Sequence, residues 1–408
     1  MTDLPRPIVR AVHCEHTASD EAVYQALVRA NEPLSAAWKR LANARRITIK
    51  MNQAWDPARR PLYLGRYQEL VDPAVARAVL RLLRERTTAE LRCVEIATMI
   101  RGRDDLSFDQ AQNLRDVFAE FGVVIENGNT APHGLYPVPG GGSMFRQYQL
   151  PSIAVETDAF VTVQKIKNHK FMGVTLGLKN LFGLPPYDPY GRPRQYFHHL
   201  VRLPHVLVDL GRIIDPALTI LDGLTCQSGG EWGGDGLVGD TLLAGDQVIA
   251  TDAVATHLMG HDPLGDWPNQ PFVRDRNALL LAHQSGFGTA CLNEIDWTSE
   301  VQAPIGQFLT TVTDPPERVL AWRRSTCEQA LYYRDHIESF VERYAGQWVL
   351  IQNNQVVWQS SEPALPASRR ILAGGDEDAA LFFKYVDPEE AEGEHWEVYE
   401  RELEAMGR

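Results

Sequence analysis

The sequence has no apolar run near twenty residues, so no stretch offers the continuous length that a membrane-crossing helix requires. Its start, MTDLPRPIVR, lacks the apolar core of a signal peptide, and cytoplasm is the expected location. Five cysteines, Cys14, Cys93, Cys226, Cys291 and Cys327, include no CxxC pair. Their odd number and scatter exclude a disulfide scaffold, a zinc ribbon or a cysteine-bound iron–sulfur cluster built from this chain alone. Positive charge is also short, with 40 Lys and Arg against 53 Asp and Glu and a net charge of −13. Neutralising a phosphate backbone needs a basic face, so a general nucleic-acid binder is excluded and no nucleic-acid partner is expected. Nothing matches GxSxG, HExxH or a kinase signature.

Against that acidic background, the stretch Phe160 to Pro186, FVTVQKIKNHKFMGVTLGLKNLFGLPP, packs four lysines, one histidine and three glycines into 27 positions. It opens as a buried strand through Phe160, Val161, Val163 and Ile166, then turns polar at Lys165, Lys167, Asn168, His169 and Lys170. A strand whose carboxyl end delivers cations and an imidazole into a glycine-broken loop is a usual site geometry in α/β proteins. A local positive site on an acidic protein points to an anionic small-molecule ligand.

The rest reads as scaffold. At 408 residues the chain exceeds what one core readily serves, so two lobes and a small module are expected. The segment Arg46 to Asn52 alternates as a strand ending in Lys50 and Asn52, Asp72-Pro73 offers an N-cap and a first-turn proline, and Ser107 with Gln110 resembles a capping box. Residues 128 to 152 read as a loop holding Gly140-Gly141-Gly142-Ser143, which matches neither GxxxxGK[ST] nor GxGxxG. A helix over Gln195 to Ile213 carries His198, His199 and His205, with Pro204 breaking it or starting a second one. The strand ALTILDG ends in Asp222 before QSGGEWGGDG; a strand VIA, Asp252 as N-cap and a helix stopped by Gly260 follow. The pair Asn353-Asn354 between two short strands reads as a hairpin turn. Together these predict an α/β fold, two-lobed, of mostly parallel sheets covered by helices: residues 1–150, 151–325, and a small C-terminal α+β module over 326–408.

Lysine beside other cations or in an apolar pocket loses proton affinity and can serve as base, nucleophile or anion clamp. Lys165, Lys167, His169, Lys170 and Lys179 therefore form the leading constellation, against the bland reading of a solvated basic loop. The apolar residues around Gly173 and Gly177 argue for burial instead, which makes Lys179 and Asn180 costly unless paired or used. His198, His199 and His205 are candidate metal ligands, with ordinary solvent or supporting histidines as the alternative. Asp222 ends a strand before glycines, Asp252 reads as a cap, and Lys50 and Asn52 could face the cleft.

The run KIKNHKFMGVTLGLKNLFGLPP resembles the hallmark of the domain-of-unknown-function 362 family, in which lysine and histidine precede G-V-T and then K-N-L-F-G. The likeness extends to IKMN, ELVDPAVARAVLRLL, the strand ending in Asp222-Gly223, and TDAVATHLMGHDP, across residues 45 to 300. Many family members add a ferredoxin-like module; this chain has no cysteines for one, so no iron–sulfur cluster is expected. Where a glutamate usually follows the Asp-Gly element, the sequence here reads QSGGEWGG, and Glu231 would serve only after a shift. The motif is distantly similar to the lactate racemase superfamily, where a histidine precedes G-Y-S and a lysine lies ten residues on; here His169 precedes Gly173-Val174-Thr175 and Lys179 lies ten residues on. That likeness implies His169 as acid/base, Lys179 as anchor or substrate ligand, and a metal or a nickel-pincer-like nucleotide as cofactor. The end segment GQWVLIQNNQVVWQSS resembles a small uncharacterised domain, domain of unknown function 5678.

The resulting expectation is an enzyme moving a proton or hydride at a carbon of an anionic small molecule in an interlobe cleft. Catalysis falls to His169, Lys179 and Lys167; substrate binding to Lys50, Asn52, Lys165, Asn180 and Asp222; any metal to His198, His199 and His205. The alternative is a non-catalytic metal-, cofactor- or metabolite-binding or maturation protein. The sequence leaves oligomeric state open.

Overall fold

The computed structural model describes residues 6–96, 106–190, 195–311, 314–363 and 381–407. Nine strands make the main sheet: β1 (Ile8–His13), β2 (Arg46–Met51), β3 (Glu90–Glu95), β4 (Ile125–Asn127), β5 (Ala159–His169), β6 (Gly173–Thr175), β7 (Leu218–Ser228), β8 (Asp235–Gly245) and β9 (Asp296–Ser299). Their order is β9-β1-β8-β7-β5-β2-β3-β4, with β6 paired to the end of β5. Only β8 and β6 run against the rest, so the sheet is mostly parallel. The expected α/β class is what the chain adopts. Strands from residues 1–150 and from 151–325 share this one sheet, with β1 between β9 and β8, so the site residues stand at the carboxyl ends of neighbouring strands and not between two separate sheets.

Helices α1 (Asp20–Asn31), α2 (Ser35–Ala42) and α3 (Pro73–Arg86) cover one face of the sheet. The Asp72 carboxylate accepts from the Ala74 N–H and Pro73 starts α3, as the sequence predicts. α1 and α2 are parted by residues 32–34, with Pro33 among them. On this face Ile47, Ile49, Met51, Val161 and Val163 pack in one core. Alternate residues Phe160 and Ile166 face a second core under α5 (Arg202–Ile214), α6 (Val248–Leu258) and α7 (Ala278–Gln284). A helix of one turn, α4 (Gly177–Asn180), lies on that second side. The period of two along β5 thus divides its residues between faces, and each buried Val or Ile contributes roughly 1.5–3 kcal/mol.

Several local expectations change. The capping box is reciprocal, Gln110 N–H to Ser107 Oγ and Ser107 N–H to Gln110 Oε1, but it opens a 3-10 turn before the helix over Arg115–Glu120. The loop at 128–152 carries a two-stranded antiparallel pair, His133–Pro137 with Gln147–Pro151. Pro204 sits in the first turn of α5, where no helical N–H is lost, so the helix neither contains His198 and His199 nor breaks. Val248 to Ala250 belong to α6, which makes Asp252 an interior residue of that helix.

The C-terminal segment forms a three-stranded antiparallel sheet, ordered β11-β10-β12, from β10 (Trp348–Gln352), β11 (Gln355–Ser360) and β12 (Phe382–Tyr385). Asn353 and Asn354 take φ of 48° and 60° in the β10–β11 turn, as their tolerance of left-handed backbone allows. This sheet is not insulated from the main body: Arg202 of α5 pairs with Glu394 at 2.8 Å, both fully buried, and Trp348 meets Tyr196 edge to face at 5.2 Å. Among the described residues no helix is long and apolar enough to cross a membrane.

Candidate active site at the carboxyl end of the sheet

Lys165, Lys167 and His169 are consecutive same-face residues of β5 and all lie within the strand, not in a loop after it. They are buried with 0%, 1% and 3% of their surface exposed, which excludes the solvated-loop reading. A buried ammonium is costly unless compensated, so the partners decide what each lysine can do.

Two of the lysines are neutralised. Lys165 Nζ lies 2.9 Å from Asp222 Oδ2, which its strand neighbour β7 places directly opposite, and donates to Thr225 Oγ1 at 3.3 Å. Asp222 also accepts from the Asp72 and Leu224 N–H groups, which ties the pair to the start of α3. Burial pushes the Asp222 carboxyl up, and Lys165 pulls it back. Lys50 Nζ reaches both oxygens of Glu95 on β3, at 2.9 and 2.8 Å. Asn180 donates to the Lys50 carbonyl, to Thr162 Oγ1 and to the Val163 carbonyl, pinning α4 across β2 and β5. Lys50, Lys165, Asp222 and Asn180 are therefore engaged with one another's strands. The last residue assigned to substrate, Asn52, differs: its side-chain oxygen is buried with no partner.

Lys167 is not paired in this way. Its Nζ donates to the backbone carbonyls of Glu69 and Glu231, at 2.8 and 3.2 Å, and lies 4.5 Å from the Trp232 ring centroid. Burial lowers its pKa from 10.5 to about 8, opposed by the Glu69 and Glu231 carboxylates and aided by Lys165. Buried Glu69 is in turn pushed up by desolvation, while the Gly233 N–H on its carboxylate pulls the other way.

His169 ends β5. The Phe171 and Met172 N–H groups both donate to its Nδ1, at 3.0 and 3.1 Å, so Nδ1 is the acceptor and Nε2 carries the hydrogen. Burial first, then the charges of Lys179 and Lys167, hold its pKa well below the ordinary histidine value. The Glu231 carboxylate, 3.7 Å from Nδ1, accepts from the Lys170 N–H and makes no hydrogen bond to an unprotonated nitrogen. Glu231 thus reaches this site although the sequence sets it off the family's register.

The ten-residue step from His169 to Lys179 folds back through β6 and α4, bringing the Lys179 charge to the imidazole. Half-buried Lys179 lies 4.5 Å from the Phe182 centroid. Asp252, expected to cap its own helix, accepts instead from the Gly177 and Leu178 N–H groups that begin α4, at 2.9 and 2.7 Å. Burial raises it to about 7 against those two bonds. Gly177 is required by this contact, since a Cβ there would stand 2.6 Å from Thr219 Cγ2 and 3.0 Å from Asp252 Oδ1.

The three histidines proposed for a metal do not converge. His198 stacks near His169, with centroids 5.9 Å apart. His199 Nε2 lies 2.6 Å from the Leu381 carbonyl beside the C-terminal sheet. His205 Nδ1 meets Ser143 Oγ at 2.7 Å, and burial lowers its pKa to about 4. Among the described residues no three His, Cys, Asp or Glu side chains gather as a ligand set. The cavity touching Lys179, lined also by Met172, Leu207 and Asp252, holds about 20 Å³, room for one water. Neither the donors nor that space fits a metal-bearing nucleotide.

Sequence reasoning overlooked Glu69, Glu95, Trp55 and the bond made by Asp252. Trp55 stacks on Trp232 with centroids 4.0 Å apart and planes 9° from parallel. Glu69 begins ELVDP, a motif that carries no chemistry until folding sets it beside Lys167.

The family described as domain of unknown function (DUF362) matches residues 47–257, just over half of the chain, a span that contains every candidate site residue from Lys50 to Asp252. A thylakoid-associated protein of Synechocystis sp. (strain ATCC 27184 / PCC 6803 / Kazusa) is 32% identical over 125 residues, which are 29% of this chain and 38% of that protein. The chain thus matches little more than a third of that relative's length. The lactate racemase apoprotein from Thermoanaerobacterium thermosaccharolyticum superposes with a TM-score of 0.33 at 18% identity, over 54% of this chain and 52% of that one. At that score the likeness carries no argument.

Proposed function

The chain belongs to the domain-of-unknown-function 362 family, and from that premise we propose that it is an enzyme moving a proton at a carbon of a small anionic substrate. One observation carries this reading: Lys167 is fully buried, has no carboxylate within ion-pairing distance among the described residues, and is tuned to about 8. A base works best with a pKa near the operating pH, and a lysine near 8 has an appreciable neutral fraction there while an ordinary one has almost none. Lys167 takes the proton. His169, neutral and holding its hydrogen on Nε2, donates to the oxygen on which charge develops. Lys179, half-buried beside it, supplies the fixed positive charge for the substrate anion. Lys165–Asp222 and Lys50–Glu95 hold the strand ends in register and need not touch substrate. Proton transfer is favoured over hydride transfer because the tuned groups are proton donors and acceptors. The five cysteines stand unpaired, which supports the cytoplasm as the location.

The test is deuterium wash-in. Small carboxylates with a C–H next to an electron-withdrawing group are incubated with the protein in D2O and followed by proton NMR. Wash-in rising with pH toward 8 and lost in Lys167→Met is expected; wash-in undiminished in that variant, or none across the set, refutes the reading.

A further inference from the structure

Lys167 is covered by its own chain. Glu231 and Trp232 lie in the glycine-rich turn between β7 and β8, and they make two contacts that belong together: the Glu231 carbonyl oxygen accepts from Lys167 Nζ at 3.2 Å, and the adjacent indole lies flat on Trp55 at 4.0 Å. A flat ring on one surface and an oxygen on a buried ammonium is the shape of a small ligand. Trp55 and Trp232 are each half-buried, and Trp55 Nε1 is buried with no acceptor. Asn52 Oδ1, on the same segment after β2, is likewise without a donor. Buried polar atoms are normally satisfied, so Trp55 Nε1 and Asn52 Oδ1 are both open to a further polar partner.

The covering turn has glycine at both ends. Gly229 and Gly233 bracket it at φ of 90° and 65°, conformations that L side chains rarely adopt, and nothing lies within 4 Å of where a Gly233 Cβ would be. Besides the Trp232–Trp55 stack, it is held by polar contacts: Gly233 N–H to Glu69 Oε1, Gln68 Nε2 to the Gly234 carbonyl, and Lys170 N–H to Glu231 Oε2.

We propose that the Glu231–Trp232 segment occupies the place of a flat, conjugated carboxylate, whose ring stacks on Trp55 and whose carboxylate replaces the Glu231 carbonyl on Lys167. This goes beyond the proton-transfer reading: the carboxylate meets the protonated form of Lys167, so such a ligand occupies the resting site in competition with the proton-transfer substrate. A carboxylate is a better acceptor for an ammonium than a carbonyl, and it removes the cost of an unpaired buried charge. Trp232 then competes with the ligand for Trp55.

The two tryptophans must therefore act in opposite directions. Benzoate and cyclohexanecarboxylate carry the same charge and differ in flatness. Their binding to the full chain is read from the Trp55 indole N–H signal in nitrogen-15 NMR, assigned with Trp55→Phe, and from calorimetry where Trp55 is replaced. Stacking of this kind is worth about threefold to tenfold in affinity. Expected are benzoate binding several-fold tighter than cyclohexanecarboxylate, weakened about threefold to tenfold by Trp55→Ala, and tightened by a similar factor in Trp232→Ala. Trp232→Leu, which keeps an apolar body without a ring, must also tighten it. Equal binding of both carboxylates, or Trp232 variants that weaken benzoate as Trp55→Ala does, overturns the displaced-ring proposal while leaving an anion site at Lys167. Binding of both unchanged by Lys167→Met, or no saturable binding of either, overturns the anion site too.

Discussion

Replacing Lys167 by methionine keeps an unbranched side chain of similar length and removes only the amine. With its pKa lowered from 10.5 to about 8, the ammonium destabilises the folded state by about 3 kcal/mol at pH 7, at roughly 1.4 kcal/mol per unit. Against this stand the bonds to the Glu69 and Glu231 carbonyls, worth about 1 kcal/mol each. Lys167→Met should therefore be as stable as the wild type at pH 7 or more stable by about 1 kcal/mol, the opposite of what losing a buried, hydrogen-bonded side chain usually does. Between pH 8 and 10.5 the folded protein has released this proton and the unfolded chain still holds it, so wild-type stability rises with pH through that window. The variant lacks that rise. Urea unfolding of both proteins at the two ends of the window isolates the charge, because packing and all other titrations cancel in the double difference. A variant that loses about 3 kcal/mol relative to wild type on going up in pH supports the account; a difference independent of pH refutes it.

Three other perturbations separate structural from chemical roles. Lys50→Met strands the Glu95 carboxylate, which is 5% exposed, and should cost about 3–5 kcal/mol in chemical denaturation, most of it recovered in Lys50→Met with Glu95→Met. Asp252 is raised from 3.8 to about 7, so the folded state binds the extra proton and stability from this group falls by about 4 kcal/mol as pH rises across that interval; Asp252→Asn should flatten that slope in thermal melts. His205 is lowered from 6.5 to about 4, so stability falls by about 3 kcal/mol as pH drops through that range, and His205→Asn should remove the loss in acid titrations of unfolding.

Much of this was legible in the residues themselves. The alternation in β2 and β5, the Asp72-Pro73 start of α3 and the Asn353-Asn354 turn depend on neighbours a few positions away, and local rules found them. The closeness of Lys167, His169 and Lys179 in the sequence is kept in space, because a short hairpin return folds the chain back on β5. What stayed hidden was the division of labour among the lysines. Lys165 meets Asp222 and Lys50 meets Glu95 only through the register of parallel strands joined by long crossovers, and no spacing rule predicts that register. Asp252 failed for a related reason: its cap-like context was real, but the N–H groups it satisfies belong to α4. The three histidines do not share one helix, because α5 begins at Arg202 and takes only His205.

The most direct measurement is the titration of the Lys167 amine itself, by NMR of side-chain-labelled lysine with Lys167→Arg to assign its signal. A midpoint near 8 is what burial beneath Glu231 and Trp232 demands. A midpoint at the ordinary lysine value of 10.5 would mean that Lys167 is an ordinary cation and that the proton-transfer site proposed around it does not exist.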